Sequence, residues 1–314
     1  MQASLPVERF VKVASKDVTC DLDLTNDEVL NLLDLAQDVK SHPRSYTRAL
    51  SGRILSLLFE KPSLRTRMTF EIAIKQLGGD AIFSSGMIGG REPIKDVARN
   101  LDRWTQGVVA RVFSHQTIKE LSKWASVPVI NALCDMYHPC QALADVLTLK
   151  ERFGGLEGLN VAFIGDGNNV AHSLMLSCAR LGANFTIATP QGYEPNCDIV
   201  EQASGLAGVS GGSVRLTHNP EAAASGANAV YTDVWTSMGS EQESDRRKRA
   251  FAAYQVNGKL FSLAAPDAVF MHCLPAHRGE EVTDEVIESA GSVVFDQAEN
   301  RLHAQKALLL MTLE

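Results

Sequence analysis

Apolar positions along this chain switch repeatedly between two periods, and the switches mark out helices and strands in alternation. Residues 28–36 place apolar side chains three and four apart behind Thr25-Asn26-Asp27, which predicts an amphipathic helix with its N-cap there. Residues 53–59 are a continuous apolar run and predict a short buried strand. After Pro62-Ser63, residues 64–77 read as a helix closed by Gly78-Gly79. An apolar stretch at 81–83, a glycine-rich loop at 86–90, a helix near 94–107 and a strand at 108–112 follow. Residues 128–131 end another strand, and a helix from about 141 to 153 leads to Gly154-Gly155, where the pattern places a domain boundary.

Beyond that boundary, 160–165 is a buried strand, 171–181 a helix and 184–188 a strand, with later strands at 229–231 and 269–272. Residues 300–313 are apolar at helical spacing. Strands alternating with helices predict an α/β protein with parallel sheets covered on both faces, in two similar halves. No internal repeat and no low-complexity linker is evident.

Composition narrows the class. The chain has 314 residues, enough to bury roughly 75% of its unfolded surface in one large or two medium domains. Hydrophobic residues make up 45% and charged residues 21%, which excludes disordered and fibrous classes. A net charge of −7 without a Lys/Arg block argues against nucleic acid as a partner. Six cysteines without a C-x-x-C pair read as reduced thiols rather than a disulfide frame. No signal peptide and no apolar run of ~20 residues is present, so the expectation is a cytoplasmic protein without a membrane partner.

Candidate chemistry follows the predicted strands. Ser63, Arg65, Thr66 and Arg67 sit where a new helix exposes N–H groups, and hydroxyls with guanidinium groups there suit an anion; a capped, surface-charged first turn is the plainer alternative. Arg111 lies inside an apolar strand, where a charge is costly unless a bound anion offsets it or the side chain snorkels from an edge. His138 and Gln141 share one side of a helix start, with Pro139 at its favoured early position. Gly165-Asp166-Gly167 after a strand invites a dinucleotide reading. The third small residue is displaced, and the next strand ends at Ala188-Thr189-Pro190 without an acid, so an NAD-dependent enzyme is disfavoured. Asn168 and Asn169 can cap the helix or hold a carboxylate. Asp233 suits an ammonium group or caps a turn. Cys273 invites a nucleophilic reading, but an electrophile that is already activated needs no covalent step, which favours a polar orienting role. The charge run 241–249 reads as a solvated helix face.

Taken together and in order, these segments resemble the ornithine carbamoyltransferase family, within the wider aspartate and ornithine carbamoyltransferases. S-x-R-T-R matches Ser63 to Arg67, the strand arginine Arg111, H-P-x-Q His138 to Gln141, and the second asparagine after G-D-G Asn169. D-x-W-x-S-M-G matches Asp233 to Gly239, H-C-L-P matches His272 to Pro275, and Arg301 matches the arginine opening the last helix. The resemblance implies two doubly wound parallel-sheet domains with the active site in the cleft between them. It divides the chain at 1–153 for carbamoyl phosphate, 154–296 for ornithine and 297–314 for a helix returning to the first domain.

The resemblance also assigns roles. Ser63, Leu64, Arg65, Thr66, Arg111, His138, Gln141, Cys273, Leu274 and Arg301 would bind carbamoyl phosphate, with Arg111, His138 and Cys273 catalytic. Asn169, Asp233, Ser237 and Met238 would bind L-ornithine. The implied product is L-citrulline, as in arginine biosynthesis, without metal or organic cofactor, in a homotrimer. An N-acylated ornithine and a catalytically silent relative are the alternatives. Three positions depart from the family pattern: Leu64 replaces a threonine, Met87 a Gln or His in a loop that reaches a neighbouring subunit, and Pro93 a serine. H-C-L-P rather than H-P-L-P separates the chain from aspartate carbamoyltransferases.

Overall fold

Two parallel sheets organise the chain, each in its own unit. The computed structural model describes residues 11–236 and 243–313. One unit runs to Leu147 and takes up the chain again from Glu299; the other is Thr148–Ala298.

The first unit begins with α1 (Asn26–Ser41), whose start is a reciprocal cap: Thr25 Oγ1 accepts from the Glu28 N–H at 3.2 Å, and Glu28 Oε2 accepts from the Thr25 N–H at 2.7 Å. There follow β1 (Ile54–Phe59), α2 (Leu64–Gln76), β2 (Asp80–Ser85), α3 (Ile94–Trp104), β3 (Gly107–Arg111), α4 (His115–Trp124), β4 (Val129–Leu133) and α5 (Pro139–Phe153). The strands are parallel in the order β2-β1-β3-β4. Central β1 and β3 are apolar and buried along nearly their whole length, as a doubly covered parallel sheet requires. Edge strand β2 alternates, with Ile82 exposed.

From β1 the chain moves to one side for β2 and then to the other for β3. The loops leaving β1 and β3 therefore diverge, and such a point is where α/β sheets hold ligands. Register pairs Phe59 with Arg111, so the segment after β1 and the arginine ending β3 stand side by side at this point.

The second unit contains β5 (Asn160–Ile164), α6 (Asn169–Arg180), β6 (Asn184–Ala188), α7 (Cys197–Ser210), β7 (Ser213–Thr217), α8 (Pro220–Ala224), β8 (Ala229–Thr232), α9 (Ser244–Phe251), α10 (Gly258–Phe261), β9 (Val269–His272) and α11 (Asp284–Ile287). Its parallel order, β7-β6-β5-β8-β9, reverses between β5 and β8. The loops at 165–169 and at Asp233 leave these two strands. Helix α12 (Val294–Thr312) belongs to the first unit from Glu299 onward. The division within the earlier part of the chain falls inside α5, ahead of Gly154-Gly155. Among the described residues no helix is long and apolar enough to cross a membrane, and none of the six cysteines forms a disulfide.

Candidate active site

In the first unit Ser63 caps α2, its hydroxyl oxygen accepting from the Thr66 N–H at 3.1 Å. This fixes the first turn of α2 directly after the carboxyl end of β1. Thr66 is buried, and its Oγ1 accepts from Arg301 on α12 at 2.7 Å. A threonine 235 positions earlier thus fixes the last helix's guanidinium, and its own hydroxyl proton remains to donate elsewhere.

Arg111 and Arg301 are both buried, and both charges act on His138, which precedes α5 and is itself buried. Burial first, then Arg301 and Arg111, holds the His138 imidazole well below its ordinary range. It is a neutral donor between two cations, suited to an oxygen that gains charge. Gln141, 1% exposed, donates through Nε2 to Asp145 Oδ1 at 2.8 Å. That bond orients the amide and leaves its Oε1 buried and without a donor, so a ligand N–H belongs there. Sequence reasoning missed Asp145, although its i+4 spacing from Gln141 is the readable signal.

Two members of the first motif do not join this cluster as closely. Leu64 is 75% exposed, so its contribution is confined to backbone. Arg67 pairs with Glu71 at 2.8 Å and lies over the Phe83 ring at 3.8 Å, which directs it outward.

The depressed His138 pKa has a stability consequence. The unfolded chain takes up a proton on this residue below about pH 6.5, whereas the folded chain does not, so stability is lost as pH falls through that value. His138→Gln is expected to flatten the decline in melting temperature between about pH 7.5 and 5.5. His115 and His303, also lowered by burial, leave a residual slope. Thermal denaturation at matched ionic strength checks this; parallel wild-type and variant curves would mean that folded His138 titrates normally.

In the second unit Asn168 caps α6, its Oδ1 accepting from the N–H groups of Val170 and Ala171 at 3.0 and 3.1 Å. Its Nδ2 donates to Asp233 Oδ2 at 2.8 Å, across the reversal between β5 and β8. The other Asp233 oxygen accepts from Cys273 Sγ at 3.0 Å. A thiol donating to a carboxylate is an orienting group, which favours that role for Cys273 over nucleophilic attack. Asn169 lies beside them, its Oδ1 accepting from the Val170 N–H at 3.1 Å. Ser237 and Met238 lie outside the described residues.

Two findings count against a dinucleotide. Asn168 already occupies the helix N–H groups that a pyrophosphate would need. Gly167 is small because a Cβ there would stand 2.2 Å from Pro195 N, so its lack of a side chain serves chain packing.

The H-C-L-P turn is supported from beneath. His272 is fully buried; its Nδ1 accepts from the Leu274 N–H at 2.8 Å, which places the ring proton on Nε2, 3.3 Å from Glu281 Oε1. Gln297 Oε1 accepts from the His272 N–H at 3.0 Å. Leu274 has φ 56°, uncommon for a residue with a side chain. Asp233, His272 and Cys273 each bring one ligand atom within 4.8 Å of the others, yet the imidazole's two nitrogens and the thiol are already engaged as described.

One member of the charge run departs from the expected solvated face. Arg247 on α9 has a side chain only 13% exposed, pairs with Asp166 at 2.8 Å and donates to the Trp235 carbonyl at 2.8 Å. Burial pushes the Asp166 carboxyl up while Arg247 opposes that shift. Within a run of charges, nothing in sequence distinguishes the one that turns inward.

Residues 16–151 match the family described as aspartate/ornithine carbamoyltransferase, carbamoyl-P binding domain, and 157–312 its Asp/Orn binding domain. The ornithine carbamoyltransferase of Thermococcus kodakarensis is 49% identical over 308 residues, covering 96% of this chain and 98% of that protein. The anabolic ornithine carbamoyltransferase of Pyrococcus furiosus is 48% identical with the same coverage. A solved structure of ornithine carbamoyltransferase from that organism superposes with a TM-score of 0.94 over 96% of this chain and 98% of its own.

Proposed function

The chain belongs to the aspartate/ornithine carbamoyltransferase family, and from that premise we propose which of its residues carry out carbamoyl transfer. The enzyme moves the carbamoyl group of carbamoyl phosphate to the side-chain amine of L-ornithine, giving L-citrulline and phosphate. The observation that carries the assignment is the cluster of Thr66, Arg301, His138 and Arg111 in the first unit.

Ser63, Arg65, Thr66 and Arg111, with the backbone at Leu64, hold the phosphate. The amine nitrogen bonds to the carbamoyl carbon, charge builds on the carbamoyl oxygen, and the carbon–oxygen bond to phosphate breaks with its electron pair leaving on phosphate. Thr66, Arg111, Arg301 and neutral His138 donate to the charged oxygen, and prepositioned donors of this kind usually contribute more to such catalysis than any other single effect. Gln141 Oε1 accepts from the carbamoyl NH₂, as do the Cys273 and Leu274 carbonyls. Asn169 receives the ornithine carboxylate, and Asp233, with Ser237 and Met238, its α-amino end. The attacking amine, with an ordinary pKa near ~10.4, must shed a proton first, and desolvation beside Cys273 favours its neutral form. A leaving group already present on the substrate makes a metal or organic cofactor unnecessary.

We further assign the enzyme to arginine synthesis in the cytoplasm, as a homotrimer. The trimer rests on the family resemblance, and Met87, 65% exposed in place of a Gln or His, argues against the 86–90 loop making the family's contact with a neighbouring subunit; light scattering at three times the 34.1 kDa chain mass tests the assembly. The deciding experiment is citrulline formation by the purified protein from carbamoyl phosphate and ornithine, beside N-acetylornithine, N-succinylornithine, putrescine and aspartate. Turnover confined to ornithine is expected. Preference for an acylated ornithine would overturn the amino-acid assignment, and no turnover with any amine would favour a silent relative.

A further inference from the structure

Next to the H-C-L-P turn, a second set of ligand-bearing side chains converges. His277, Glu280 and Glu281 each place one ligand atom within 4.8 Å of the others. Glu281 is fully buried. Its Oε1 accepts from His272 and from the His277 N–H, at 3.3 and 2.5 Å. Its Oε2 is buried and meets no hydrogen-bond donor, and the imidazole His277 Nδ1 stands 4.0 Å from it. A buried carboxylate oxygen with an unmade bond is costly, and an imidazolium at that distance does not make one.

We propose that His277, Glu280 and Glu281 form a binding site for one divalent transition-series cation, with Zn²⁺ as the reference ion. One imidazole and two carboxylates are a nitrogen and oxygen set that such ions accept, with further positions left to water. Ligand atoms at about 2.0–2.1 Å from a common tetrahedral ion stand roughly 3.3 Å apart. Closing 4.0 Å to that distance takes under about one ångström from His277, whose side chain is 52% exposed and able to turn. Glu280 now carries Lys248 at 2.7 Å, an exposed pair that an ion displaces at little cost.

The ion would act on the turn through a short chain. Glu281 holds His272, and His272 holds the Leu274 N–H. Fixing Glu281 through its other oxygen therefore stiffens the support of the H-C-L-P carbonyls. The Asp233, His272 and Cys273 group is a different cluster, and the test must separate the two.

The full chain, stripped with a chelator, is titrated with Zn²⁺ by calorimetry and with Co²⁺ by absorption. Three variants run in parallel: His277→Ala, Glu280→Gln and Cys273→Ser. Expected is one ion per chain, binding kept in Cys273→Ser and weakened at least about tenfold in each of the other two. The Co²⁺ form should show no sulfur-to-metal charge-transfer band. Zn²⁺ should raise the melting temperature of the wild type and not that of His277→Ala, whose metal-free citrulline formation stays normal. Absence of uptake, uptake unaffected by His277→Ala, or uptake abolished by Cys273→Ser overturns the proposal.

Discussion

Arg111→Ala is expected to reduce kcat/KM for carbamoyl phosphate by about three orders of magnitude, with kcat falling and KM rising together. Arg111 ends a central strand and is buried beside the end of β1, so on the proposed assignment its charge would act on both the leaving group and the developing oxyanion. Loss of one prepositioned donor costs about 10²–10³ in rate, and loss of a buried phosphate contact adds to it. The His138 pKa should rise in the same variant, because one of the charges depressing it is gone. Arg111→Lys keeps the charge without the planar fork and should recover only part of the loss. Steady-state citrulline assays, with circular dichroism as a check on folding, decide the matter. Wild-type kinetics in Arg111→Ala would remove the residue from the site.

Asp233→Asn should act on the other substrate, raising KM for ornithine by about 10- to 100-fold while KM for carbamoyl phosphate stays unchanged. The carboxylate now accepts from Asn168 on one oxygen and Cys273 on the other. An amide in its place can satisfy one of them only, and its NH₂ would face the Asn168 NH₂ or the thiol proton. A loss of roughly 1–2 kcal/mol in stability is therefore expected alongside the weaker ornithine binding. Initial rates with each substrate varied in turn test this. An unchanged ornithine KM would show that Asp233 serves the α6 cap alone, and equal increases for both substrates would point to general damage.

Much of the architecture is readable from local pattern because its central strands obey simple rules. β1, β3 and β5 are largely apolar runs at strand length, and a doubly covered sheet admits little else. The elements that the pattern misses are amphipathic or short: α4, α7, α8, α10 and α11, and β7, an edge strand that exposes Ser213, Arg215 and Leu216. Their signals are weaker because half of each faces water. Hydrophobic spacing places the starts of α5 and α6 too late, since Pro139 and the Asn168 cap set the true ones.

Residues close together in the chain are enough to specify the α/β class and the placement of candidate polar segments directly after strands, whereas their binding roles come from the family resemblance of the motifs taken together. Periodicity and spacing carry that information locally. Which partners those residues hold is settled by the packed fold alone. Thr66 with Arg301, Asn168 with Asp233, Asp233 with Cys273, and His272 with Gln297 join positions from 25 to 235 apart. Packing also turned Arg247 inward from a run of charges and set Arg67 outward from the motif that contains it. A buried polar group must find its bond wherever the fold brings a complementary atom, and that location is a property of the packed chain, not of any stretch of it.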